Sequence, residues 1–252
     1  MKDASYDYQG LADGYANHRK TDERIAKYVL EALGDAETIL NVGAGAGSYE
    51  PEDKYVMAVE PSSTMRAQRI EKGKSPAINA FGEDLPFDDN AFDAVMAMVT
   101  IHHWPNIAKG LRELKRVARK RVVVMSFDPG AFAVYWNSDY FPEMVEAEIK
   151  RFPKIDAIID YFGENCEVID IPVPFDCTDG FREAFYGRPE MFLNPDVRKA
   201  QSAWALISKE LELKCIERLR EELESGEWDR KYGQLRNTPF INGCLKLVVA
   251  NK

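Results

Sequence analysis

The sequence predicts an α/β protein: a doubly wound, seven-stranded sheet that carries a helical cap insertion. Three observations predict it. Residues 38–60, TILNVGAGAGSYEPEDKYVMAVE, run from an apolar stretch through a glycine cluster to a second apolar stretch that closes on an acid. Two later apolar runs, 94–99 and 121–127, are separated by an amphipathic segment of helical period. After Asp128 that rhythm breaks, and aromatic residues crowd a mostly helical segment. Strands alternating with helices imply crossover connections, and hence a largely parallel sheet.

Each element has a local reason. Ile25, Tyr28, Val29 and Leu33 recur at helical spacing, with Gly34 as a stop. Ile39, Leu40 and Val42 suit a first strand buried on both faces. Gly43, Gly45 and Gly47 follow, where the backbone can take φ > 0 and approach a ligand closely. The second strand, 55–59, ends on Glu60, placed to accept both hydroxyls of a ribose. Pro61, Ser62 and Ser63 can cap a helix that carries Met65 and Ile70. Residues 94–99 read as the fourth strand. An amphipathic helix at 106–119 turns Ile107, Leu111, Leu114 and Val117 inward. The VVVMSF run within 121–127 is the fifth strand, 166–175 another, and 211–223 a charged helix. A last strand, 240–250, is expected to run antiparallel.

Composition narrows the function classes. A chain of 252 residues accommodates one large domain, or one domain plus a cap. The net charge of −9 argues against nucleic acid and anionic membrane as partners, since nothing would offset phosphate repulsion. The four cysteines form no CxxC pair and the three histidines add no zinc spacing, so free thiols and no metal are expected. No signal-peptide core and no membrane-length apolar run occur, which makes a cytoplasmic protein the expectation.

The glycine loop narrows the cofactor. A dinucleotide fingerprint, G-x-G-x-x-G, needs its third glycine where Ser48 stands; here it falls one place early, at Gly47. A G-x-G-x-G loop with Glu60 at the next strand's tip resembles the class I S-adenosylmethionine (SAM)-dependent methyltransferases. The phrase formed by Glu83, Leu85, Pro86, Phe87, Phe92 and Asp93 is similar to the small-molecule group that includes ubiquinone and menaquinone biosynthesis enzymes. The lead YQGLADGYANHR resembles that group's Y-x-x-x-A-x-x-Y-x-x-x-R segment.

The resemblance implies a Rossmann-like methyltransferase sheet in a single domain spanning 1–252. Residues 1–129 would be the SAM-binding half, with 130–165 and about 176–235 as cap and acceptor-pocket segments. It places SAM over Gly43, Ala44, Gly45 and Gly47, with its ribose on Glu60 beside Pro61. Adenine would lie between Met65 and Gly82–Glu83, and Val99 is a further expected cofactor contact. The methionine end would lie near Asn41 and Arg19, with Tyr15 closing over it. Two positions depart from the pattern: Asn41 stands for the usual acid at the loop's entry, and Phe81 for a frequent aspartate.

The strand 4 terminus reads TIHHW, and the carboxyl end of a strand borders the ligand crevice of such sheets. His103 is therefore a candidate general base. His102 and Trp104 are candidate substrate contacts, joined by Tyr135, Trp136 and Tyr140 in the aromatic insertion and by Tyr186 and Arg188 further on. The expected activity is SAM-dependent methyl transfer to nitrogen, oxygen or carbon of a small, planar or aromatic acceptor, by a monomer or homodimer. An NAD(P)-dependent oxidoreductase and a non-catalytic SAM-fold binding subunit are the alternatives. A nucleic-acid methyltransferase is disfavoured by charge, and by TIHHW where an N/D-P-P-Y/F motif would stand.

Overall fold

A computed structural model of the chain describes residues 18–252. In chain order the regular elements are α1 (Glu23–Leu33), β1 (Thr38–Val42), β2 (Tyr55–Val59), α2 (Ser63–Glu71), β3 (Ala77–Ile78) and β4 (Phe92–Met98). Then come α3 (Ile107–Val117), β5 (Ala118–Phe127), α4 (Asn137–Tyr140), α5 (Pro142–Arg151), α6 (Ile155–Phe162) and β6 (Cys166–Pro174). The chain finishes with α7 (Pro195–Lys199), α8 (Lys209–Glu224), α9 (Glu227–Tyr232) and β7 (Phe240–Asn251). Short 3-10 turns connect several of them.

The seven strands form one sheet in the order β3-β2-β1-β4-β5-β7-β6. Pairings from β3 through β5 are parallel, whereas β7 runs antiparallel between β5 and β6. Strand order reverses between β1 and β4, so a crevice opens at their carboxyl ends. Alternation along each strand divides the core. Ile39, Met96 and Val123 face α1, which contributes Ile25, Val29 and Leu33. Their neighbours Leu40, Val95 and Val124 face α3 and α6, which contribute Leu111, Leu114 and Ile158.

Local chemistry sets the element ends. Asp22 caps α1 by accepting the Arg24 amide hydrogen, and Gly34 ends that helix at φ 57°. At the amino ends of the strands, the Asp93 carboxylate accepts hydrogen bonds from the amides of Glu37 and Thr38 and from the Thr38 hydroxyl. Those bonds, led by the Thr38 amide, hold its carboxyl below the usual range. Nearby, Arg116 donates to the carbonyls of Leu85 and Phe87, and Phe87 meets Phe92 edge-on at 4.9 Å. The Leu85-to-Asp93 phrase thus staples the turn before β4, at the end away from the crevice.

Residues after β5 build a third core of their own. The Trp136 indole sits at its centre, edge-on to Tyr140, Phe192 and Trp228 at 5.5–5.6 Å, and donates to the Tyr186 carbonyl at 2.8 Å. This aromatic body caps the crevice. Among the described residues, no helix is long and apolar enough to cross a membrane.

Candidate functional site

A cavity of about 610 Å³ lies between the sheet's carboxyl edge and the cap. Its floor is made by backbone. Gly43 follows β1 at φ +65°, and a Cβ there would stand 2.1 Å from the Thr100 hydroxyl oxygen. Gly45, at φ +50°, has open space where a side chain would be, and its amide donates to Glu60 Oε2 at 2.8 Å. The other Glu60 oxygen accepts the Ser62 amide hydrogen at 2.8 Å. Burial raises the Glu60 pKa, and the two amides partly offset that rise. Ser62 also caps α2, which turns the buried Met65 to the cavity wall. Val99 follows β4 with φ 50°, a strained conformation for a β-branched residue, held by its amide bond to the Met125 carbonyl.

Polar networks stand behind the floor. Asn41 Nδ2 donates to Glu50 Oε1 at 2.9 Å, and Arg69 pairs with the same oxygen at 2.6 Å, all three side chains being buried. Asn41 Oδ1 is buried without a hydrogen-bond partner among the described residues. A carboxylate, Glu50, thus stands one layer behind Asn41, paired with Arg69. Arg19 Nε pairs with Asp179 at 2.5 Å, and the Tyr49 hydroxyl donates to the other Asp179 oxygen at 2.7 Å. Arg19, Tyr49 and Asp179 all line the cavity.

The two histidines occupy a 3-10 turn after β4, Ile101–His103. The His102 ring stacks on Phe152, 4.0 Å between centroids, and lies 3.9 Å from the His103 ring. Burial, helped by the nearby Arg151 cation, pushes His103 down to about 3; burial likewise depresses His102. Both imidazoles are therefore neutral at physiological pH. Trp104 lines the cavity, with its indole wedged where Cβ atoms on Gly82 and Gly110 would fall at 2.8 and 2.2 Å.

The sequence-derived residues divide cleanly. Arg19, Asn41, Gly43, Ala44, Gly45, Glu60, Pro61, Met65, Gly82, Glu83, Val99, His102, His103 and Trp104 line one cavity. Gly47 does not; its α-carbon faces Arg69, Glu50 and Lys74 instead. Glu83 accepts the Asn106 amide hydrogen at 3.2 Å, at the start of α3. Tyr15 lies outside the described residues. The cap residues expected to contact substrate are turned elsewhere. Trp136 and Tyr140 are core, the Tyr140 hydroxyl donating to Glu222 at 2.7 Å. Tyr186 donates to the Thr238 carbonyl and Arg188 to the carbonyls of Cys177 and Ala184. Tyr135 packs 5.3 Å from Trp136. Burying such large rings against each other yields more apolar burial than lining a wet cleft, so helical period points them inward.

The cap wall is formed instead by Phe132, Phe152 and Phe181, with Phe127 from β5 and the polar residues Glu148, Arg151, Arg182, Gln201 and Ser202. Phe127 was readable as the carboxyl end of a strand. The polar set carries no spacing signal, because three separate segments deliver it. Among the described residues, no group of three or more His, Cys, Asp or Glu side chains could hold a metal ion.

Comparisons with known proteins agree with this architecture. Residues 40–126 match the family model described as a methyltransferase domain. A demethylmenaquinone methyltransferase of Porphyromonas gingivalis is 28% identical over 172 residues, covering 59% of this chain and 69% of that protein. The chloroplastic 2-methyl-6-phytyl-1,4-hydroquinone methyltransferase 2 of Oryza sativa subsp. japonica is 28% identical over 133 residues. That match covers 49% of this chain, which spans only 37% of the rice protein's length. Among solved structures, one provisionally assigned as a methyltransferase from an antibiotic biosynthesis pathway of Anabaena variabilis superposes with a TM-score of 0.85. It shares 29% identity, over 93% of this chain and 99% of the other.

Proposed function

We propose that this chain, a class I SAM-dependent methyltransferase by fold and matched domain, transfers the methyl group of SAM to a small, flat acceptor. The acceptor would lie between the β4 turn and the cap. One observation carries the reading: a single cavity joins the glycine floor and Glu60 to the phenylalanine wall of the cap. A nucleoside-sized ligand and a second, smaller molecule can therefore share it.

The residues at the sheet end fit SAM. Glu60 spends one lone pair of each oxygen on a backbone amide and keeps others for ribose hydroxyls. Asn41 Oδ1, buried and unpartnered, is an acceptor suited to an ammonium group. Met65 offers an apolar face to adenine, and Arg19 a cation to a carboxylate, in exchange with or beside Asp179. SAM brings a methyl group on a sulfonium sulfur, which departs as a neutral thioether.

What the protein contributes is alignment and dryness. The Phe127, Phe132, Phe152 and Phe181 rings exclude water and present flat surface to an aromatic acceptor. His103, held neutral with a pKa near 3, orients rather than deprotonates, since so weak a base gains little from a phenol or amine proton. The hydroquinone named for the rice relative and the demethylmenaquinone named for the Porphyromonas relative both carry a flat ring system.

The test is transfer of labelled methyl from SAM to a panel of quinols, phenols and aromatic amines by the purified protein. Label in an aromatic product, reduced at limiting SAM by Glu60→Ala, supports the reading. Label in none of them, with SAM bound, removes the aromatic acceptor.

A further inference from the structure

Resting on that reading, we infer that the acceptor carries a carboxylate, and that Arg151, at the end of α5, holds it. Arg151 lines the cavity beside the histidine turn. One terminal nitrogen donates to the Ser202 hydroxyl at 2.9 Å and reaches Glu148 at 3.4 Å. Its Nε and Nη1 are buried and have no hydrogen-bond partner among the described residues. Guanidinium donors withdrawn from water without acceptors are costly, and a cavity wall that keeps two of them is built for an anion.

Neighbouring carboxylates leave those two donors unmet. Glu148 gives its closer contact, 2.9 Å, to Arg182. Arg182 is further satisfied by Asn137 at 3.2 Å and by lying 4.8 Å over the Phe132 ring. Glu183, another carboxylate on this wall, is turned to the Cys244 amide at 2.9 Å and the Cys244 thiol at 3.1 Å. Arg151 and Arg182 thus share Glu148, while Glu183 faces Arg182 and is bonded to Cys244, so Arg151 Nε and Nη1 are left without an acceptor. His102 and His103, both neutral, add no charge. A carboxylate, with a single charge, gives such donors charge-assisted hydrogen bonds. The Arg151 guanidinium also stands 5.5 Å over the Phe152 ring, whose other neighbours are His102, stacked at 4.0 Å, Phe127 and Phe132. An aromatic ring bearing a carboxylate satisfies both features.

The experiment uses the full chain and two probes of one shape, 4-hydroxybenzoate and the neutral 4-hydroxybenzamide. Both are titrated calorimetrically in saturating S-adenosylhomocysteine. The acid is expected to bind at least 10-fold more tightly than the amide. Arg151→Met should erase that preference while homocysteine-product affinity stays within about twofold, and Arg151→Lys should restore part of it. Equal binding of acid and amide to the unaltered protein overturns the subsite, as does absence of acid binding with S-adenosylhomocysteine bound. So does a preference that survives in a folded Arg151→Met. The comparison on the unaltered protein decides even if the variant fails to fold. No heat from S-adenosylhomocysteine itself would mean that the cofactor assignment has failed, and the subsite with it.

Discussion

The two walls of the cavity are made by opposite means. The sheet wall is backbone and small residues: Gly43 packed on Thr100, the open Gly45, the Gly45 and Ser62 amides on Glu60. Thr100 apart, its parts fall within one strand–turn–strand unit between Gly43 and Ser62, and the order of the strands fixes their arrangement. The cap wall is made of long side chains from α5, the turn at Arg182–Phe185 and the turn at Ser202–Leu206. There an Arg–Glu–Arg cluster and several phenylalanines converge from segments that share no motif. A wall of the first kind is specified locally. One of the second kind exists only once the cap has packed.

If that contrast holds, mutations in the cap core should act through stability and leave the cofactor site intact. Trp136→Ala removes the ring on which Tyr140, Phe192 and Trp228 converge, and is expected to cost about 4 kcal/mol. Chemical denaturation reads that loss, while the S-adenosylhomocysteine affinity of the remaining folded protein should be unchanged. A weakened affinity at full stability would return Trp136 to the ligand.

On the sheet wall the expectation reverses. Gly43→Ala forces a Cβ against Thr100 at positive φ, costing roughly 3 kcal/mol in strain and displaced backbone. Cofactor affinity should fall with it, and calorimetry that finds normal binding would show the floor to be softer than its geometry implies. Glu60→Ala should leave stability within about 1 kcal/mol yet weaken cofactor binding by about 2 kcal/mol, through lost charge-assisted hydrogen bonds. Denaturation and titration together separate these two effects.

The smallest effect sharpens the join between the walls. His103 has a folded pKa depressed from 6.5 to about 3 by burial and by Arg151. Its contribution to stability is therefore complete above pH ~6.5 and is lost as pH falls toward about 3, because the unfolded chain takes up the proton first. Urea midpoints measured between pH 7 and 4 should drop less steeply for His103→Gln than for the unaltered protein. Parallel slopes would place His103 in water, not against the cap.

How far the sequence could be read follows the same division. Apolar runs and glycine spacing located the sheet and its reversal, and Glu60 could be placed because a strand tip has only one address. The end of α1 and the start of α3 were legible to within a few residues, since Gly34 and Asn106 act on their own neighbours. The Leu85-to-Asp93 phrase carries part of the resemblance to small-molecule methyltransferases, yet most of it staples the amino ends of the strands: a distinctive motif can be scaffold. In the cap, aromatic density was visible but its direction was not. Trp136, Tyr140 and Tyr186 face the cap's interior, and Phe152 and Arg151, beside no recognisable pattern, face the cavity. Which side a residue takes there depends on short helices and single turns whose packing no local period encodes.

The most direct single measurement is calorimetric titration of the full chain with S-adenosylhomocysteine, with NADH in parallel and Glu60→Ala alongside. The structure predicts saturable one-to-one binding of S-adenosylhomocysteine, weakened by roughly 30-fold in Glu60→Ala, and no heat from NADH. Binding of NADH alone, or S-adenosylhomocysteine affinity indifferent to Glu60, would contradict it.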